Sequence, residues 1–346
     1  MRIQVLGDGG GIGDTLGRLS VIRAIKLALP ETIVWFVVPE HLVDWALLSP
    51  VYDQLVSAPN KGRRGLNGAA SPSHYSYIKA GYPFDVTLDF YDPAEIAETQ
   101  TIGPVKYSRP ELWSKIASRL LNVPLQPQRC RLQTFDDAST QALLQLRAMF
   151  GKLSLLIGLQ PLAHWQWRSL AFQQVVDVVA RLKRLGAQLI LFHHEVEPVT
   201  RWAKQLGVAT IVAAKPANIV ELMRLCDGFI SCDSGLFHAA GMLNIPTVGL
   251  FAQTDGDVTS RGYSSCSSIT AQAVERAGLD CTMPCYRRWS HGCYKPVCER
   301  GCQALHNISG VAAANMLLKQ ITKQRGMHLP SYALAGRLFY NKYRRV

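Results

Sequence analysis

Apolar residues fall in short continuous runs, separated by longer stretches in which they recur every three or four positions. That is the patterning of buried parallel strands alternating with amphipathic helices. Residues 3 to 6 read as a first strand and Gly7 to Gly13 as a glycine-rich turn. Asp14 or Thr15 reads as the cap of a helix running to about Leu29. Leu16, Leu19, Ile22, Ala24, Ile25 and Leu29 give this helix one apolar stripe, Pro30 stops it, and Thr32–Val38 is the next strand. Phe84–Asp89 is a further strand and Pro110 to Leu121 a further helix. The polar stretch Pro59–Pro83 between them, with its Lys61–Gly65 basic run, reads as a long loop and a candidate acceptor-binding region.

The alternation then restarts. Leu153–Leu159, Gln188–Phe192 and Thr210–Ala213 are predicted strands, and Phe172–Leu185, Val199–Leu206 and Ile219–Cys226 predicted helices. The series closes on a second strand, turn and helix, Phe229-Ile-Ser-Cys-Asp-Ser-Gly-Leu-Phe-His-Ala-Ala-Gly241, followed by the apolar strand Ile245–Phe251. The expected class is α/β, with two Rossmann-like domains facing each other across a cleft and ligands at the carboxyl ends of the strands. The expected boundaries are 1–150, 151–320 with a Cys-rich insertion at 281–302, and a basic segment at 321–346.

With 346 residues, 48% of them apolar and 18% charged, the chain is globular and long enough for two cores. No uninterrupted apolar run is long enough to span a bilayer. The N-terminus leads straight into a strand and not into a signal-peptide core, so the expected location is cytoplasmic. The net charge of +12 is uneven: no carboxylate follows Glu299, while Lys319, Lys323, Arg325, Arg337, Lys342, Arg344 and Arg345 crowd the end among aromatics. Such a segment suits a solvated or docked tail, peripheral contact with an anionic inner membrane surface, or, last, nucleic acid.

The two glycine turns carry the candidate chemistry. A strand-to-helix loop such as Asp233–Leu236 turns backbone N–H groups and a helix N-terminus toward one point, which suits a diphosphate, and Ser234 and His238 add side-chain hydrogen bonds. The same residues also describe an ordinary turn with an Asp or Ser cap. The first turn lacks a G-x-G-x-x-G register, and Glu40 after the next strand is weak support for a nicotinamide site.

Gly13-Asp14 at the first helix, Gln160-Pro161 after a strand, Cys-Asp-Ser-Gly-Leu-Phe-His-Ala-Ala and the later Leu-Phe-Ala-Gln-Thr-Asp resemble the heptosyltransferase family of glycosyltransferases. The resemblance implies GT-B architecture and inverting transfer of heptose from ADP-heptose to a hydroxyl. The acceptor would be a lipopolysaccharide core sugar or a protein Ser/Thr, and no catalytic metal is implied. It makes Asp14 the base, with Asp8 a nearby competitor and a helix cap the bland alternative. Gly13, Ser234, Gly235, Leu236 and His238 would serve the nucleotide sugar, with Asp233, Thr254 and Asp255 on sugar hydroxyls and Glu195 or Glu197 on the ribose. The family's basic residue after Gln160-Pro161 is missing from Leu162-Ala-His-Trp-Gln-Trp-Arg168, where Arg168, then His164, is the expected substitute.

Five of the nine cysteines lie at Cys281, Cys285, Cys293, Cys298 and Cys302, two pairs of like spacing with Cys293 spare or an alternative ligand. Tetrahedral thiolate coordination of structural iron or zinc fits this spacing, reduced loop cysteines being the alternative. The cluster resembles the iron-binding finger of heptosyltransferases that modify autotransporters. Two rival readings are a GT-B enzyme with another nucleotide-sugar donor and a non-catalytic nucleic-acid-binding protein with a metal knuckle.

Overall fold

The computed structural model describes residues 1–7, 11–58, 83–90, 107–133, 145, 147–148, 154–193, 196–212, 214–272, 274–276, 279–281 and 301–325. The chain divides into two compact units. The first contains Met1–Gln133, and the second contains the strands and helices from Leu156 to Arg325.

The first unit runs β1 (Arg2–Leu6), α1 (Ile12–Ala28), β2 (Ile33–Pro39), a 3-10 turn (Glu40–Leu42), α2 (Val43–Leu47), β3 (Gln54–Ala58), β4 (Val86–Asp89) and α3 (Arg109–Leu121). Its four strands are parallel in the order β3-β2-β1-β4, with Val5 of β1 beside Phe36 and Leu88. Gly7 ends β1 because the backbone of β2 comes too close for a side chain. Its N–H donates to the Val37 carbonyl at 2.6 Å, and a Cβ there would lie 2.5 Å from the same oxygen.

Helix α1 begins at Ile12, three residues earlier than Asp14 as cap would require. Gly11 is the N-cap, and Asp14, in the first turn, reaches back to accept the Gly11 N–H at 2.9 Å. Asp14 thus satisfies one helix-end donor from inside the helix, the reach-back half of a capping box. One turn further on, Arg18 is fully buried. It donates to the Gly7 carbonyl at 3.0 Å, and its guanidinium lies 5.1 Å from the Trp113 ring of α3, fastening both helices to the end of β1.

The second unit runs β5 (Leu156–Gln160), a 3-10 turn (Gln166–Arg168), α4 (Phe172–Lys183), β6 (Gln188–His193), α5 (Val196–Leu206), β7 (Ala209–Val212), α6 (Pro216–Arg224), β8 (Gly228–Cys232), α7 (Gly235–Met242), β9 (Thr247–Phe251), α8 (Gly256–Ser260), β10 (Cys266–Thr270), a short antiparallel pair β11 (Val274–Arg276) and β12 (Leu279–Cys281), α9 (Gln303–His306) and α10 (Gly310–Arg325). Six parallel strands lie in the order β10-β9-β8-β5-β6-β7. Every residue of β5, β8 and β9 is buried, which is why these strands read as unbroken apolar runs.

Starting from β5, the chain winds outward to β7, then returns beside β5 as β8 and winds out the other way to β10. This is doubly wound topology, with its switch point between β5 and β8. Helix α10 packs on α4, β8 and β9 through Ala313, Ala314, Leu317, Leu318 and Ile321. Ile321, expected in a basic terminal segment, is therefore core, whereas residues 326–346 of that segment lie outside the described residues.

Candidate functional site

In the first unit the glycine turn and α3 converge on Asp14. Its carboxylate is largely buried, accepts the Gly11 N–H with one oxygen and is ion-paired through the other to Arg109, the first residue of α3. Burial alone would raise the Asp14 pKa. The charges of Arg109 and Arg18 and the hydrogen bonds from Gly11 and Arg109 outweigh it and hold the carboxyl at about 2. Asp14 is ionised at neutral pH, and half of the Arg109 side chain remains in solvent. Gly13 lies in the first turn of α1; Asp8 lies outside the described residues.

In the second unit the polar residues gather at the carboxyl ends of β5, β8 and β9, where the topology switches direction. Ser234 is the N-cap of α7 with extended backbone, yet its hydroxyl turns away from the helix to Gln160 at the end of β5. Ser231 joins the same cluster, 3.1 Å from the Gln160 side-chain oxygen and 3.2 Å from the Ser234 hydroxyl. Ser234 is thus not a side-chain cap. The N–H groups that open a helix lack intrahelical partners, and here the cap residue's side chain does not take them up. Such an end accepts an anion.

Beside it, Asp233 accepts from the Thr254 hydroxyl at 3.0 Å and lies 3.7 Å from the Arg168 Nε. Arg168 also donates to Gln253 at 2.9 Å, and the same Gln253 oxygen takes the Trp167 indole N–H at 3.2 Å. The structure thereby brings together Arg168, Asp233, Ser234, Gly235 and Thr254, expected from sequence, and adds Gln253, whose partners stand about 85 positions away in sequence. Leu236 is buried, so its backbone alone is available for binding.

His238, one turn into α7, has its Nδ1 3.1 Å from the Tyr263 hydroxyl. Asp255 accepts the N–H groups of Asp257 and Val258 and caps α8, the plainer of the two roles open to it. His164 is exposed and packs edge-on against Trp165, which stacks on Trp167. Glu197 is exposed on α5, whereas Glu195 lies outside the described residues.

Of the cysteines, Cys285, Cys293 and Cys298 lie outside the described residues. For Cys281 only the backbone, at the end of β12, is described. Cys302 is the N-cap of α9 with its side chain in the core of the second unit. Burial, with smaller contributions, pushes the thiols of Cys226 and Cys232 up to about 12, so neither supplies a thiolate.

A doubly wound unit with an anion-ready helix end at its switch point, together with a second parallel α/β unit that carries a buried carboxylate in the first turn of its first helix, has the organisation of a GT-B glycosyltransferase. The family model "Glycosyltransferase family 9 (heptosyltransferase)" matches residues 111–287, more than half of the chain, and the chain belongs to that family.

No curated protein matches. Solved structures that match include the glycosyl transferase family 9 protein of Veillonella parvula DSM 2008, 16% identical over 93% of this chain and 97% of its own, with a TM-score of 0.67. The E. coli ADP-heptose LPS heptosyltransferase II is 15% identical over 94% of this chain and all of its own, with a TM-score of 0.62. The dodecameric iron-containing heptosyltransferase TibC of E. coli, in complex with ADP-D-beta-D-heptose, is 15% identical over 93% of this chain and 76% of its own, with a TM-score of 0.57. These likenesses establish the α/β fold with its parallel sheets. Among the described residues no helix is long and apolar enough to cross a membrane.

Proposed function

We propose that this glycosyltransferase transfers heptose from ADP-heptose to a hydroxyl acceptor with inversion at the anomeric carbon. The N–H groups at the start of α7 and the Arg168 guanidinium take the negative charge that develops on the departing diphosphate. Asp14, ionised and oriented by the Gly11 N–H, accepts the proton of the attacking hydroxyl, so no catalytic metal enters the step. Asp233, set by Thr254, and Thr254 itself serve the sugar hydroxyls. The acceptor hydroxyl belongs to a lipopolysaccharide core sugar or to a protein Ser/Thr, as in the autotransporter-modifying branch, and parallel assays with each distinguish the two.

The observation that carries this reading is the α7 N-terminus. Its cap serine is bound elsewhere, and it lies at the switch point beside an arginine, in a chain whose family is heptosyltransferase. Calorimetry with ADP, GDP and UDP tests it. Selective micromolar-range binding of ADP is expected, followed by turnover of ADP-heptose; binding of GDP or UDP alone would replace the donor. A structural iron or zinc on Cys281, Cys285, Cys298 and Cys302 would brace the Cys-rich segment and supply no step of the transfer. The burial of Cys302 suits such a closed thiolate site, and metal analysis of the purified protein is expected to find one iron or zinc per chain.

A further inference from the structure

The loop that carries Arg168 is held from the far end of the Cys-rich segment. His306, in α9 and four residues after Cys302, places its Nε2 3.2 Å from the carbonyl oxygen of Ser169, the residue next to Arg168. A carbonyl only accepts, so this contact puts a proton on Nε2 and fixes the imidazole's role as donor. Ser169 is the hub of the loop. Its hydroxyl accepts the Ala163 N–H at 3.0 Å, and its own N–H donates to Gln166 at 2.9 Å, closing the short turn that includes Trp167 and Arg168. The direction of the Arg168 side chain toward Asp233 and Gln253 therefore depends on where Ser169 is held.

The far side of the contact is equally fixed. Gln174, buried at the start of α4, accepts the Ala171 N–H at 2.9 Å. Its side-chain nitrogen donates to the carbonyls of Leu305 at 2.9 Å and Ile308 at 2.8 Å, bracketing His306. Gly301 has a φ of +113°, and a Cβ there would lie 2.5 Å from the His306 ring. Glycine is thus required twice at this position, for its backbone and for the ring packed over it.

We propose that His306 is a positioning residue for Arg168, acting through the Ser169 carbonyl, so that the grip on the donor's diphosphate depends on the segment that ends the Cys-rich region. This rests on the reading of Arg168 as a diphosphate ligand. Supporting side chains of this kind matter because a binding group left loosely held loses much of its effect.

The test is calorimetry of the full-length protein with ADP and with adenosine, which lacks the phosphates, on His306→Ala, His306→Gln, Arg168→Ala and the double variant. His306→Ala is expected to weaken ADP roughly fivefold and leave adenosine unchanged, the size of coupling typical of residues in one network. His306→Gln, which keeps a donor, should restore most of the loss. In the Arg168→Ala background His306→Ala should have no further effect. His306→Phe, which keeps an aromatic ring in the site but has no N–H to donate, should reproduce His306→Ala and serves as the test if that variant does not fold. An equal loss of adenosine binding, or a His306→Ala effect undiminished without Arg168, overturns the proposal. Arg168→Ala with unchanged ADP affinity overturns instead the reading of Arg168 on which it stands.

Discussion

Both units end a central strand in a glycine-containing turn and start a helix with an acidic residue nearby, yet the two carboxylates are treated in opposite ways. Asp14 is ion-paired to a half-exposed arginine, and from its own glycine turn it accepts the Gly11 N–H. Asp233 lies among Thr254, Arg168 and, through Arg168, Gln253, all of them drawn from the segments that follow β5 and β9. The first is a carboxylate whose charge is maintained while its principal partner stays in contact with water. The second fixes its neighbours as a strut, in addition to the sugar-binding part proposed for it. A motif of strand, glycine turn, acid and helix therefore says where a ligand can sit, and the partners of the acid decide whether it does chemistry or holds geometry.

The sharpest way to break this comparison is to neutralise each carboxylate. Asp14→Asn keeps the size and an oxygen able to accept the Gly11 N–H, and removes the proton acceptor. Turnover of ADP-heptose is expected to fall on the order of a thousandfold while calorimetric ADP affinity stays within about twofold. Asp233→Asn leaves Asp14 untouched and loosens Arg168 and Thr254. It is expected to weaken ADP or donor binding roughly tenfold, with a smaller change in kcat. Steady-state kinetics on the pair decide it: a large kcat loss in Asp233→Asn with normal Asp14→Asn turnover would reverse the assignment of roles.

A core substitution in the second unit sharpens the same contrast at the level of stability. Leu317 of α10 is fully buried against Gly228, where a Cβ would meet its methyl groups at 3.0 and 3.2 Å. Leu317→Ala is expected to cost roughly 2–5 kcal/mol in chemical denaturation. Asp14 belongs to the first unit, so its pairing to Arg109, followed by the titration of Asp14, should persist in that variant.

The strands and helices that carry the sites were legible because period and punctuation agree there: buried runs at Leu156–Gln160 and Thr247–Phe251, and an amphipathic repeat through Phe172–Lys183. Two kinds of element were not. Short or half-buried pieces such as Gln54–Ala58, Val43–Leu47 and Cys266–Thr270 lack a clear period, the last being a half-buried strand of mostly polar residues. Helix α10 was hidden by its charge, because lysines at 319 and 323 draw attention from the buried stripe through Ala313, Ala314, Leu317, Leu318 and Ile321. The site was half legible for a related reason. Turn residues such as Ser234 and Gly235 announce themselves locally, whereas Arg109, Gln253, Tyr263 and His306 matter only through partners 95, about 85, 25 and 137 positions away. The early start of α1 belongs with these, since a glycine cap served from the N3 side chain leaves no cap residue to read.

The smallest expected effect is also the most specific to Asp14. Its folded pKa of about 2 lies below the ordinary 3.8, so its ionised form contributes stability that is complete above the unfolded value and is lost as pH falls from about 3.8 through about 2. Arg109 supplies much of that depression but is half exposed, so the pair is worth well under about 1 kcal/mol after solvent screening. Arg109→Ala is therefore expected to change the denaturation midpoint at neutral pH very little. It removes the largest of the effects opposing burial, however, and the Asp14 pKa must rise. The acid limb of the kcat profile should move to higher pH in Arg109→Ala, and in the free enzyme the Asp14 carboxyl should titrate higher by NMR. High salt should produce a weaker version of the same shift in the wild-type protein, because the exposed side of the pair is open to counterions. If the acid limb stays where it is while the carboxyl titration moves, the group that limits turnover at low pH is not Asp14. The two carboxylates would then have to be compared afresh as two struts.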